Sequence, residues 1–208
     1  MIYSVKQIFA SVQGEGALVG TPAVFVRLAG CNLWSGRPGD RERDASKSTA
    51  MCSKWCDTDF TDGIKMSQSE ILDKSPRLPL AVITGGEPML QCPQALIAEL
   101  RLASYRVAME TNGTIEVPTL LVDWLTVSPK HLDDRWVQRT GSELKIVYPA
   151  IDPGDALAQC SPDGFAHLFV QPEDGPRRAE NQRATVDYVL RHPRWRISAQ
   201  MHKFLELP

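Results

Sequence analysis

Short apolar runs recur along the chain, each closed by Gly, Pro or a polar cluster. Seven of them read as strands: 23–28 (AVFVRL), 80–84 (LAVIT), 106–110 (RVAME), 124–127 (WLTV), 144–148 (LKIVY), 167–170 (HLFV) and 195–199 (WRISA). Runs rich in Val, Ile and Leu that do not alternate suit strands covered on both faces, as in parallel sheets. Residues 4–12 alternate more and predict an N-terminal edge strand or hairpin. Helical patterns are fewer. Residues 93–103 open on a proline, and 177–191 stop before His192-Pro193. Residues 67–72 open on Ser67 with Glu70 three positions on, a capping-box pattern. A turn or two fits 155–159. Strands alternating with helices predict an α/β fold, and so few helices for so many strands predict a partial, incomplete βα barrel. With no internal repeat or low-complexity tract, residues 1–208 read as one domain.

Composition narrows this picture. Of 208 residues 43% are hydrophobic and 23% charged, near the globular average. The formal charge of −2 leaves no basic footprint for nucleic acid. No apolar run approaches a membrane helix, and residues 1–6 lack a signal-peptide pattern, so a cytoplasmic location is expected, with no membrane or nucleic-acid partner. Five cysteines, an odd number, argue against a disulfide framework.

In parallel α/β folds ligands bind beyond the carboxyl ends of the strands. Here those ends carry Gly30-Cys31-Asn32, Gly85-Gly86-Glu87-Pro88, Thr111-Asn112-Gly113, Ser128-Pro129-Lys130, Gln171-Pro172 and Gln200-Met201-His202-Lys203. Cys31, Cys52 and Cys56 lie within 26 residues. Thiolates at such spacing suit zinc or iron–sulfur equally. The paired glycines at 85 and 86 permit close backbone approach to a ligand. Glu87, beside exposed carbonyls, could hold an ammonium group. Arg27 interrupts an apolar strand. A buried guanidinium needs an anion: a ligand carboxylate, or an internal bridge to Glu15 or Asp57.

Three cysteines after one strand and Thr84-Gly85-Gly86-Glu87-Pro88 after the next resemble the radical S-adenosylmethionine (SAM) superfamily. The resemblance extends to the 7-carboxy-7-deazaguanine synthase family through 9–16 (FASVQGEG), 27–36 (RLAGCNLWSG), 56–60 (CDTDF), 110–113 (ETNG), 127–130 (VSPK), Gln171-Pro172, 195–198 (WRIS) and His202-Lys203. It implies a partial TIM-like barrel of the radical SAM type with an enlarged cluster-binding loop at about 31–63. It implies a carbon–nitrogen lyase of queuosine biosynthesis, converting 6-carboxy-5,6,7,8-tetrahydropterin to 7-carboxy-7-deazaguanine with loss of ammonia. By the same resemblance Cys31, Cys52 and Cys56 bind a 4Fe-4S cluster and Thr58 binds magnesium. Trp55, Asp57, Gly86, Glu110, Ser128, Lys130 and Gln171 contact SAM. Val12, Gln13, Gly14, Glu15, Arg27, Thr84 and the carboxylate of Pro208 contact substrate. A reductant such as a flavodoxin and a homodimer are further implications. Two other readings compete: a glycyl-radical activase, and a non-catalytic metal-binding protein. Two features depart from the family pattern. Three residues, not two, separate Cys52 from Cys56, and Met201 and Glu206 replace an expected Thr and Asn near the chain end.

Overall fold

A computed structural model describes residues 1–48, 52, 56–118, 120–161 and 163–208. The strands are β1 (Ile2–Val12), β2 (Pro22–Leu28), β3 (Ile64–Ser67), β4 (Leu80–Gly85), β5 (Arg106–Thr111), β6 (Trp124–Val127), β7 (Gly141–Tyr148), β8 (Phe165–Pro172) and β9 (Arg196–Ile197). They form one open sheet in the order β3-β1-β2-β4-β5-β6-β7-β8-β9. From β2 to β9 the neighbours run parallel, whereas β1 is antiparallel to both β2 and β3. The expected incomplete barrel is present, and residues 4–12 belong to the first arm of a hairpin. β3 was not expected. Its Ile64 and Lys65 are exposed, so no apolar run marks it. β9 keeps only two residues of the segment 195–199.

Among the described residues the helices with defined bounds are α1 (Arg41–Ser48), α2 (Gln68–Lys74), α3 (Gln94–Leu102), α4 (Pro153–Ala158), α5 (Arg178–Arg191) and α6 (Met201–Phe204). The α2 capping box forms as read: Glu70 N–H donates to Ser67 Oγ at 3.2 Å and Ser67 N–H to Glu70 Oε2 at 2.7 Å. Among the described residues the connections from β5 to β6 and from β6 to β7 carry no helix, which leaves helices scarce. α1 sits in the enlarged loop. Its sequence, RERDASKS, has no apolar face to announce it. No helix among the described residues is long and apolar enough to cross a membrane.

Strand parity divides the core. Val24, Val26, Ala81, Ile83, Val107, Met109, Leu144, Ile146 and Val170 point to one face and share a core with Ile71 of α2, Leu96, Ile97 and Leu100 of α3, Ala156 of α4 and Tyr188 of α5. The opposite face carries Ala23, Phe25, Leu80, Val82 and Ala108 at its lower end, with Phe9 and Trp124 packed against them. Two residues further along the same face come Arg27, Thr84 and Glu110. Arg27 stands opposite Thr84 in the ladder, and Glu110 opposite Thr126. The apolar layer thus ends where a polar one begins, at the carboxyl ends of the strands.

Candidate active site

A cavity of about 440 Å³ opens over that polar layer. Val12, Gln13, Gly14, Glu15, Arg27, Cys31, Cys52, Cys56, Asp57, Thr58, Thr84, Gly86, Glu110, Ser128, Lys130, Gln171 and Pro208 all line it. Trp55 lies outside the described residues.

The cysteines form one wall. Cys52 is buried, while Cys31 and Cys56 are partly exposed. Cys56 N–H donates to the Cys52 carbonyl at 2.7 Å. Arg41 of α1 donates to the Cys56 carbonyl at 2.9 Å, with its guanidinium 4.6 Å from the Trp34 ring centroid. The Leu33 N–H points at the Cys31 sulfur, 3.5 Å away. Burial pushes the Cys52 thiol up to about 12 and raises Cys31 as well. A bound metal centre would reverse that cost, since a coordinating thiol deprotonates. All three cysteines line the same cavity. A structural zinc site takes four protein ligands, whereas a four-iron cluster spreads thiolates over separate irons.

The paired glycines press β4 against that wall. A Cβ on Gly86 would lie 2.3 Å from the Gly30 carbonyl oxygen and 2.6 Å from Cys31 Cβ. Glu87 departs from its expected role. Its carboxylate turns inward, 1% exposed, and accepts from Thr111 Oγ1 at 2.9 and 3.0 Å, Asn112 N–H at 2.8 Å and Met89 N–H at 3.0 Å. It ties the end of β4 to the end of β5 and does not face the cavity. Burial raises its pKa, against those hydrogen bonds.

Polar groups interlock around the remaining walls. Gln13 Nε2 donates to Glu110 at 3.0 Å, and Thr84 Oγ1 donates to the other Glu110 oxygen at 3.3 Å. Gln171 Nε2 donates to Glu15 at 3.1 Å and its amide oxygen accepts from Ser198 Oγ at 2.9 Å. Glu15 is ion-paired with Lys145 of β7, a cavity residue the sequence reading passed over. The signal for Lys145 was the one that exposed Arg27: a cation inside an apolar strand. Lys130 Nζ donates to Ser128 Oγ at 2.7 Å. Arg27 takes neither internal partner considered for it, because Glu15 pairs with Lys145 and Asp57 with Lys203. Its Nε is buried without a hydrogen-bond partner, and its guanidinium lies 5.5 Å from the Phe9 ring centroid.

No family model matches the chain. The 7-carboxy-7-deazaguanine synthase of Caulobacter vibrioides is 45% identical over the full length of both chains. That of Bradyrhizobium diazoefficiens is 46% identical over 99% of each, and that of Burkholderia multivorans 43% over the full length of both. In fold the chain is similar to the crystal structure of QueE from Escherichia coli, with a TM-score of 0.74, 24% identity, and coverage of 97% and 95% of the two chains.

Proposed function

The chain belongs to the 7-carboxy-7-deazaguanine synthase family, and we propose that it converts 6-carboxy-5,6,7,8-tetrahydropterin to 7-carboxy-7-deazaguanine, with loss of ammonia, in queuosine biosynthesis. The observation that carries the substrate class is Arg27, a cation in the cavity wall with an unsatisfied buried Nε and, among the described residues, no carboxylate partner. A planar guanidinium offers two parallel donors to a carboxylate, and the substrate brings one. A cavity of about 440 Å³ is sized for small molecules, not for a polypeptide loop.

Cys31, Cys52 and Cys56 would hold a 4Fe-4S cluster, with SAM against Asp57, Gly86, Glu110, Ser128, Lys130 and Gln171, and Trp55 beside it. Bound together, cluster and SAM supply the hydrogen-abstraction chemistry that no side chain can. The protein's own contribution is position and charge. Arg27 would orient the pterin by its carboxylate. Gln13 and Thr84, already hydrogen-bonded to Glu110, would set the pterin beside the carboxylate that takes the ribose hydroxyls. Val12, Gly14, Glu15 and Pro208 would close over it. The Thr58 hydroxyl is the hard oxygen donor magnesium favours. We place the reaction in the cytoplasm, with a flavodoxin-like reductant and a homodimeric enzyme. The test is anaerobic iron–sulfur reconstitution, then incubation with SAM, magnesium, reductant and 6-carboxytetrahydropterin. A product mass corresponding to loss of ammonia is expected. SAM cleavage with the pterin unchanged would reject the substrate.

A further inference from the structure

Lys203 holds three segments that are far apart in sequence. Its ammonium contacts Asp57, directly after Cys56, and Asp174, just past β8, the latter at 2.6 Å. All three side chains line the cavity. We propose that Lys203 is a positioning residue that clasps the C-terminal segment to the loop carrying Cys56, Asp57 and Thr58, so that the two order together.

The C-terminal segment has little else to hold it. None of the residues of α6 is buried, and Phe204 is 81% exposed. Its other anchors are polar: Met201 N–H donates to the Gly14 carbonyl at 2.9 Å, and Ser11 Oγ to the Pro208 carbonyl at 3.4 Å. On the loop side Asp57 is itself half exposed, and Lys203 is its ion-pair partner. Removing the ammonium does more than delete two weak pairs. It leaves two carboxylates from different segments without the ammonium they share, with Arg178, 3.9 Å from Asp174, as that group's other ion-pair partner among the described residues. Like charges so placed favour separation. Burial lowers the Lys203 pKa, but Asp174 and Asp57 outweigh it and hold the ammonium charged. A single charge thus ties the substrate-facing segment to the cofactor-facing loop.

The proposal rests on reading residues 31–63 as the cluster loop, yet its test does not need turnover. Hydrogen-exchange mass spectrometry on the full chain, before and after reconstitution, would compare wild type with Lys203→Met and Lys203→Arg. In Lys203→Met, amides of 56–63 and of 199–208 should exchange faster together, by roughly five- to thirtyfold, while β4 and β5 stay protected. Lys203→Arg should restore most of that protection. In turnover the Met variant should raise the pterin KM several-fold with kcat little changed and iron content intact. Faster exchange confined to 199–208, or an Arg variant as fast as the Met one, would overturn the clasp. A wild-type enzyme inert toward the pterin would sink the substrate assignment while leaving the exchange result to decide the clasp.

Discussion

Lys145 and Glu15 form an ion pair inside the cavity wall, their side chains only 7% and 14% exposed. Desolvating two charges is expensive, and this pair is held by mutual attraction plus the Gln171 hydrogen bond. Lys145→Met leaves the Glu15 carboxylate buried without its cation. It should cost about 3–5 kcal/mol of stability, the range for one-sided removal of a buried pair. The double variant Glu15→Gln/Lys145→Met should lose less than the sum of the two single variants. Urea denaturation of the four proteins measures the coupling; strict additivity would show the two groups to be independent.

The same pair sets an acid limit. Burial by itself would raise the Glu15 carboxyl, but Lys145, then His202 and Gln171, overcome it and bring the group from an ordinary 4.5 down to about 2. A carboxyl depressed on folding stabilises the native state above its unfolded pKa, and that stabilisation disappears as pH falls through the folded value. Wild type should therefore lose stability relative to Glu15→Gln between about pH 4.5 and pH 2. Denaturation midpoints across that window give the difference directly; parallel curves would mean that Glu15 is not depressed.

Arg27→Ala removes a cation that no carboxylate among the described residues pairs with. Charge-assisted hydrogen bonds contribute roughly 1.5–3 kcal/mol, so the pterin KM should rise roughly ten- to hundredfold, with iron content and SAM binding unchanged. Arg27→Lys should recover only part, because an ammonium lacks the planar fork. An alanine variant with wild-type KM would remove Arg27 from the substrate site.

Gly86→Ala should be severe for its size. The added methyl would overlap the Gly30 carbonyl and Cys31 Cβ, both at distances real Cβ atoms do not occupy. The end of β4 must back away from the strand end that carries Cys31. Lower iron uptake on reconstitution is expected, with about 1–3 kcal/mol lost from overpacking. Iron content per chain and thermal unfolding report the two effects separately.

Most of the architecture was legible without coordinates. Parallel strands, the open barrel and the gathering of strand-end residues around one mouth follow from local signals: unbroken apolar runs, their period, and glycines and polar clusters at their ends. That Arg27, Thr84 and Glu110 share a face came from the strand register, which the sequence leaves open. Where a segment lacks such a signal, the sequence is silent. The edge strand β3 has exposed residues, and α1 has no apolar stripe. Choice of partner is the other thing only the tertiary structure decided. Glu87 sits in the motif that suggested an ammonium ligand, yet its carboxylate binds the end of β5. Glu15 was free on paper to neutralise Arg27, and it pairs with Lys145 instead. A sequence states which charges exist and near which strand end each one lies. Which of two charges meet depends on the approach of strands distant in the chain, and that approach left Arg27 without an internal anion at the mouth of the cavity.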